Sequence, residues 1–166
     1  MSNFDTAFWY TAENEGFDQE TDDPLDKGGL TKWGISKNAH PNVDIPNLTE
    51  DGAKAIYKAE YWDKCRCDEF SDTELAIKVF DCAVNMGCGM SIKLLQCAIN
   101  DYEDTVTVTV DGKVGPKTIA AANACDPDGL LLFYRDRMIQ RYRELAQKDG
   151  QSRFLRGWTS RANRMP

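Results

Sequence analysis

The chain has 166 residues, 42% of them hydrophobic and 28% charged, which is enough for one domain with a substantial core and is unlike a disordered composition. Its net charge of -7 argues against nucleic acid as a partner, because phosphate binding needs a clustered positive surface. No run approaches the roughly 18 to 20 uninterrupted apolar residues of a membrane span, and the start MSNFDTAFWY lacks a basic segment followed by an apolar one, so neither a stable membrane anchor nor an export signal is expected.

Phe4, Ala7, Phe8, Thr11 and Ala12 recur at helical spacing and predict a first helix that ends near Glu15-Gly16. The segment 16–29, GFDQETDDPLDKGG, has no apolar period and reads as an irregular loop, with a short strand expected over 30–35. Thr49 caps a helix that carries Glu50 and Asp51 in its first turn and ends near Trp62. Ser71-Asp72-Thr73-Glu74 fits a capping box with Ser71 as the cap, ahead of a central buried helix that runs to Gly87. A helix around 92–99 follows, then the alternating run Thr105-Val106-Thr107-Val108-Thr109-Val110, which predicts a strand entering an Asp111-Gly112 turn. Pro116 starts a short helix to Ala124. Asp126-Pro127 then caps a long helix with an apolar stripe of Leu131, Tyr134, Met138, Tyr142 and Leu145, and a last helix spans 154–164. The expected fold is therefore mainly α, a single helical domain over 1–166 with a small β-hairpin or strand segment.

Charge is distributed unevenly. From residue 130 onward nine Lys and Arg face three acids, whereas the rest of the chain is strongly acidic. The basic end reads first as a solvated helix face, with contact to an anionic envelope as the alternative. Six cysteines without a C-x-x-C, and a single histidine, His40, do not form a metal-ligand pattern, so neither a structural metal nor a cofactor is expected. The cysteines are expected as thiols, with pairing open to any that reach an oxidising compartment.

Glu15 sits at a predicted helix exit beside Phe17 and Trp33, with Asp18, Glu20, Asp22 and Asp23 close by in sequence. Desolvation and neighbouring acids both raise a carboxyl pKa, as a general acid requires. Asp26 and Thr31 could supply the second polar group that glycosidic cleavage uses on the opposite sugar face. The same residues also read as a solvated acidic turn with casual cation binding, although no EF-hand template is met.

Glu15-Gly16-Phe17 followed by Asp26-Lys27-Gly28-Gly29-Leu30-Thr31-Lys32-Trp33-Gly34-Ile35 resembles the signature E-G-G-x to D-P-G-G-x-T-x-Y-G-I of glycoside hydrolase family 108, which includes phage endolysins and bacterial proteins once called secretion activators. The resemblance continues through Tyr61-Trp62 and through Asp81-Cys82-Ala83-Val84-Asn85-Met86-Gly87, which is similar to the family's D-x-A-V-N-x-G helix. Leu95-Gln96 and the stretch from Asp111-Gly112 to Thr118 resemble the L-Q and D-G-x-G-x-x-T pieces of its peptidoglycan-binding half, and Phe154, Gly157-Trp158 and Arg161 are similar to its end. The sequence departs from the signature at Phe17, Lys27 and Trp33, and the spacing from Glu15 to Asp26 is longer by about two residues.

The resemblance implies a lysozyme-like domain with a catalytic half over 1–90 and a peptidoglycan-binding-like half over 91–166. It implies an N-acetylmuramidase that cleaves the bond between N-acetylmuramic acid and N-acetylglucosamine. Glu15 would be the general acid, with Asp26 and Thr31 positioning or activating water, an arrangement that also resembles the Glu, Asp and Thr triad of family 24 phage lysozymes. Trp33, Tyr61 and Trp62 are candidates for the glycan cleft, each with a core role as the alternative, and Asn85 is placed to face that cleft and bond an N-acetyl group. Asp81 is expected to pair with an arginine of the long C-terminal helix. Competing readings are a lytic transglycosylase and a non-catalytic wall-binding secretion helper. The expected partner is bacterial peptidoglycan, with the protein a monomer held in a host cytoplasm until a holin or secretion system admits it to the periplasm.

Overall fold

The computed structural model describes residues 3–15, 30–102, 107–148 and 152–166, with the backbone alone at 14, 15, 148, 152 and 153. Among these residues the protein is mainly α, with seven α-helices and one two-stranded antiparallel hairpin. The helices are α1 (Asn3–Glu15), α2 (Glu50–Tyr57), α3 (Thr73–Met86), α4 (Cys88–Tyr102), α5 (Pro116–Ala124), α6 (Pro127–Lys148) and α7 (Ser152–Asn163), and the hairpin is β1 (Thr31–Lys32) with β2 (Ile35–Ser36). No described helix is long and apolar enough to cross a membrane.

Local chemistry accounts for most of the boundaries. The Thr49 hydroxyl accepts the Gly52 amide at 3.1 Å and starts α2, which continues as a π-helical turn over Lys58–Trp62. Pro116 occupies the first turn of α5, where its missing amide costs nothing. The Asp126 carboxylate accepts the Gly129 amide at 2.9 Å at the head of α6. At α3 the cap is one residue later than the capping-box reading gives. Asp72, not Ser71, accepts the Leu75 amide at 2.7 Å, and Ser71 is held instead by the Asn123 side chain at 2.9 Å. A carboxylate at the positive end of a helix gains more than a hydroxyl does, so it takes the capping position.

The strand predicted over 105–110 is not formed where the structure describes it, at 107–110. The side chain of Asn100 takes its place. Asn100 Oδ1 accepts the Val108 amide at 2.8 Å and Asn100 Nδ2 donates to the Val108 carbonyl at 2.9 Å, so one side chain satisfies the pair of groups that a neighbouring strand would have bonded. Extended backbone thus persists without a sheet.

Helix α3 lies at the centre, packed against α1, α4 and α6, and it is buried almost all round from Leu75 to Ala83. Phe4 of α1, Trp62 and Phe80 meet edge to face with ring centroids 5.6 to 5.8 Å apart, a favoured geometry for aromatic quadrupoles. Two charged side chains on α3, Lys78 and Asp81, are also completely buried. Lys78 Nζ donates to the Tyr10 hydroxyl at 3.2 Å and to the carbonyls of Arg161, at 3.0 Å, and Arg164. Asp81 accepts from Arg161 Nη2 at 2.9 Å and Nε at 3.1 Å. The partner of Asp81 therefore belongs to α7, not to the long helix α6, because α7 folds back across α6 and brings its last turn to the face of α3.

Candidate functional site

Glu15 is the last residue of α1, as its predicted position at a helix exit requires. Asp26 lies outside the described residues. Thr31 is half-buried on β1 opposite Ser36. Between the two strands the chain turns through Trp33 at φ 55° and Gly34 at φ 72°, the pair of positive angles that a tight hairpin turn of the right twist demands. Glycine adopts that geometry freely. Tryptophan does so at a cost of order 1 kcal/mol or more, which is offset by what holds it. The Trp33 carbonyl accepts the Tyr57 hydroxyl at 3.2 Å, and its ring meets Trp9 edge to face at 6.4 Å.

Trp9 was not anticipated from sequence. It lies off the buried stripe of α1, is 37% exposed, and carries the Lys54 ammonium 5.2 Å from its ring centroid. A large aromatic off the apolar face of an otherwise regular amphipathic helix is the signal that could have found it. Because Trp9 precedes Glu15 by six residues at ~1.5 Å rise per residue, the hairpin tip is anchored about 9 Å along the helix axis from the end of α1.

Of the two aromatic residues that close the π-helical turn after α2, only Tyr61 can serve a cleft. It is half-buried and stacks on Tyr57 with centroids 5.7 Å apart. Trp62 corrects the cleft expectation: it is 0% exposed and wedged between Phe4 and Phe80, so it is a core residue. Adjacent positions in a helix point about 100° apart, so neighbours Tyr61 and Trp62 cannot both face the same cleft.

The next contact leads to Asn85. The Cys88 thiol donates to the Glu60 carbonyl at 3.4 Å, bringing the junction of α3 and α4 beside Tyr61. Asn85 Oδ1 accepts the hydroxyl of Tyr142, itself buried, at 2.9 Å. The amide NH2 of Asn85 thereby remains available at a cavity of about 330 Å³ bordered by Met86, Met90, Arg141, Leu145 and Trp158. Tyr142, Trp158 and Phe154 form a stacked row with centroids 5.5 and 5.8 Å apart, and Phe154 is 44% exposed at its outer end. From sequence Tyr142 reads only as one member of a stripe, and its hydroxyl partner is set by the tertiary fold.

The L-Q and D-G pieces, fifteen residues apart, prove to be one unit. Gln96, buried, accepts the amides of Asp111 at 3.0 Å and Gly112 at 2.9 Å, and donates to Asp111 Oδ1 at 2.9 Å and the Lys113 carbonyl at 3.1 Å. The backbone amide of Lys113, with Gln96, holds the Asp111 carboxyl below its usual range. Gly112 has φ 75°, and a Cβ there would come within 2.7 Å of the Gly89 carbonyl. The loop borders a cavity of about 540 Å³ together with Thr107, Pro116 and Lys117. No cluster of three or more potential metal ligands occurs among the described residues.

Residues 8–87 match the family described as glycosyl hydrolase 108, and residues 90–163 match a family described as a predicted peptidoglycan domain. The chain belongs to the glycosyl hydrolase 108 family. The two matches meet at Gly87–Gly89, the turn between α3 and α4, so the hairpin and Asn85 fall in the first and the Gln96 loop in the second. Solved structures also match, among them that of Brucella abortus SagA, at 28% identity and a TM-score of 0.73 over 96% of this chain and 88% of that one. No curated protein matches. The glycosyl hydrolase 108 protein is thus a peptidoglycan hydrolase-like protein with a mainly α, lysozyme-like fold.

Proposed function

We propose that the protein is an N-acetylmuramidase that hydrolyses the bond between N-acetylmuramic acid and N-acetylglucosamine. The observation that carries this reading is the anchoring of the hairpin, through Trp33 on Trp9, to the same helix that ends in Glu15. This anchoring supports a reading in which a proton donor at the end of α1 works with groups on the Thr31 strand, as two-sided attack on a glycosidic bond requires.

Glu15 donates its proton to the leaving oxygen, and Asp26 with Thr31 positions or activates the water. Trp33 and Tyr61 offer ring faces to the sugars. The free amide of Asn85 donates to an acetamido carbonyl, its own oxygen being occupied by Tyr142. The protein waits in the cytoplasm and acts in the periplasm, as a monomer, after a pore or secretion machine admits it.

Mass spectrometry of digested purified peptidoglycan tests bond and mechanism together. Reducing muramic acid ends are expected. Anhydromuramic ends would make the enzyme a transglycosylase, and binding without release of fragments would make it a wall-binding helper. Glu15→Gln should lose about two to four orders of magnitude in kcat, the range for a general acid. A Glu15→Gln protein that clears wall at the wild-type rate would remove Glu15 from the mechanism.

A further inference from the structure

The cavity at Asn85 does not end at Arg141. A second cavity of about 240 Å³, bordered by Lys93, Leu94, Cys97, Val110 and Arg137, shares both Met90 and Arg141 with it. Together they make one groove that runs along the seam of α4 and α6, from the Phe154–Trp158 ring stack at one end to Val110, 43% exposed, at the other.

Its floor is apolar and its flank is cationic. Lys93 is exposed, its methylenes lie against Gly112, and it has no acidic partner among the described residues. Arg141 has a buried Nε with no hydrogen-bond partner, and its Nη1 reaches Glu144 only at 3.4 Å. Arg137 is paired with Asp101. Among the described residues Glu144 is the single acid bordering the groove, against three cations, in a protein that is acidic overall. Arg137 and Arg141, from the basic C-terminal part of the chain, join Lys93 of α4 at this groove. Where stem peptides are attached, the muramic acid carboxyl is taken up in the amide link and the sugars are neutral, so the free carboxylates there are those of the stem peptides, which also carry methyl side chains.

We propose that this groove seats a peptide-bearing stretch of the glycan strand, with stem-peptide carboxylates over Lys93 and Arg141 and the methyl groups against Met90 and Val110. The proposal rests on peptidoglycan as the substrate and makes the enzyme a reader of the peptide as well as of the sugar. Charge complementarity selects this occupant over an uncharged polysaccharide.

The test compares glycan strands carrying their stem peptides with the same strands stripped by an amidase and then capped as the primary amide at the muramic carboxyl that the amidase frees, using wild type, Lys93→Gln, Lys93→Glu and Lys93→Arg. Binding is measured by calorimetry on the Glu15→Gln background and cleavage by KM and kcat in the active protein. Lys93 is exposed, so unchanged thermal midpoints are expected in all four. Lys93→Gln should weaken binding of peptide-bearing strands about two- to fivefold, the scale of an exposed ion pair, with Lys93→Glu weaker still and Lys93→Arg restored. Stripped strands should bind all four alike, and added salt should weaken only the peptide-bearing complex. Equal affinity of wild type for both strands, or an equal loss on both in the variants, would overturn the proposal. Peptide-dependent binding without cleavage of either strand would overturn the muramidase reading and leave this one standing.

Discussion

Lys78 shows what one residue can reveal about the folded state. Sequence places it on the central helix, where a lysine would normally reach solvent, yet it is completely buried under the C-terminus. Burial pushes its ammonium down from about 10.5 to about 8, only partly opposed by Asp81. Between those values the unfolded chain holds a proton that the folded chain has released, so stability from this group rises with pH across that window. Below about pH 8 the full cost of the buried charge applies, on the order of 3 kcal/mol. Denaturant titrations from pH 7 to 10.5 should therefore show a steeper rise for wild type than for Lys78→Met. Parallel slopes would mean that Lys78 ionises as it would in water. Trp33 and Trp62 make the complementary point. From sequence both read as cleft candidates with a core role as the alternative, and only tertiary packing separates a ring held at a hairpin tip from one enclosed by Phe4 and Phe80.

At the scale of elements, nearly every helix was legible because each carries its own periodicity and punctuation. The start of α5 at Pro116 and the cap of α6 at Asp126 are local events, decided within one turn. The misplaced cap of α3 is equally local and gives a direct check. Asp72→Ala should destabilise the protein by about 1 kcal/mol, the usual worth of an N-cap, as measured by chemical denaturation. Ser71→Ala should cost less, since the Ser71 backbone amide keeps its bond to Asn123. The reverse order would restore Ser71 as the cap. The missing strand was illegible for a different reason. Alternation of Thr and Val specifies an extended chain but not what satisfies its backbone, and here the partner is a side chain on α4.

At the scale of the whole molecule, the last turn of α7 caps the buried charges of α3, and four of the six cysteines, Cys65, Cys67, Cys82 and Cys125, are buried as well. The Cys67 side chain and burial raise Cys65, and burial raises Cys82, both well above an ordinary thiol, Cys82 to about 11. Neither should react with a thiol reagent at pH 8 except through opening of the fold, since the thiolate is the reactive form. Labelling followed by mass spectrometry should find both modified at the rate of global unfolding. Fast modification of Cys82 in native protein would show that the α3 interface opens locally.

By itself the sequence determined the helical architecture, the position of Glu15 at a helix exit and the order of motifs that marks the family, while it predicted one short strand over 30–35 where the structure forms a hairpin. Periodicity, capping and turn chemistry act over a few residues, and so they can be read along the chain. Only the tertiary structure decided that Trp62 is core, that Asp81 pairs with α7, that Gln96 binds the Asp111-Gly112 loop, and that Asn85 points its amide into a groove with a cationic flank. Those facts depend on side chains meeting across 15 to 80 residues of sequence, where no local period carries the information.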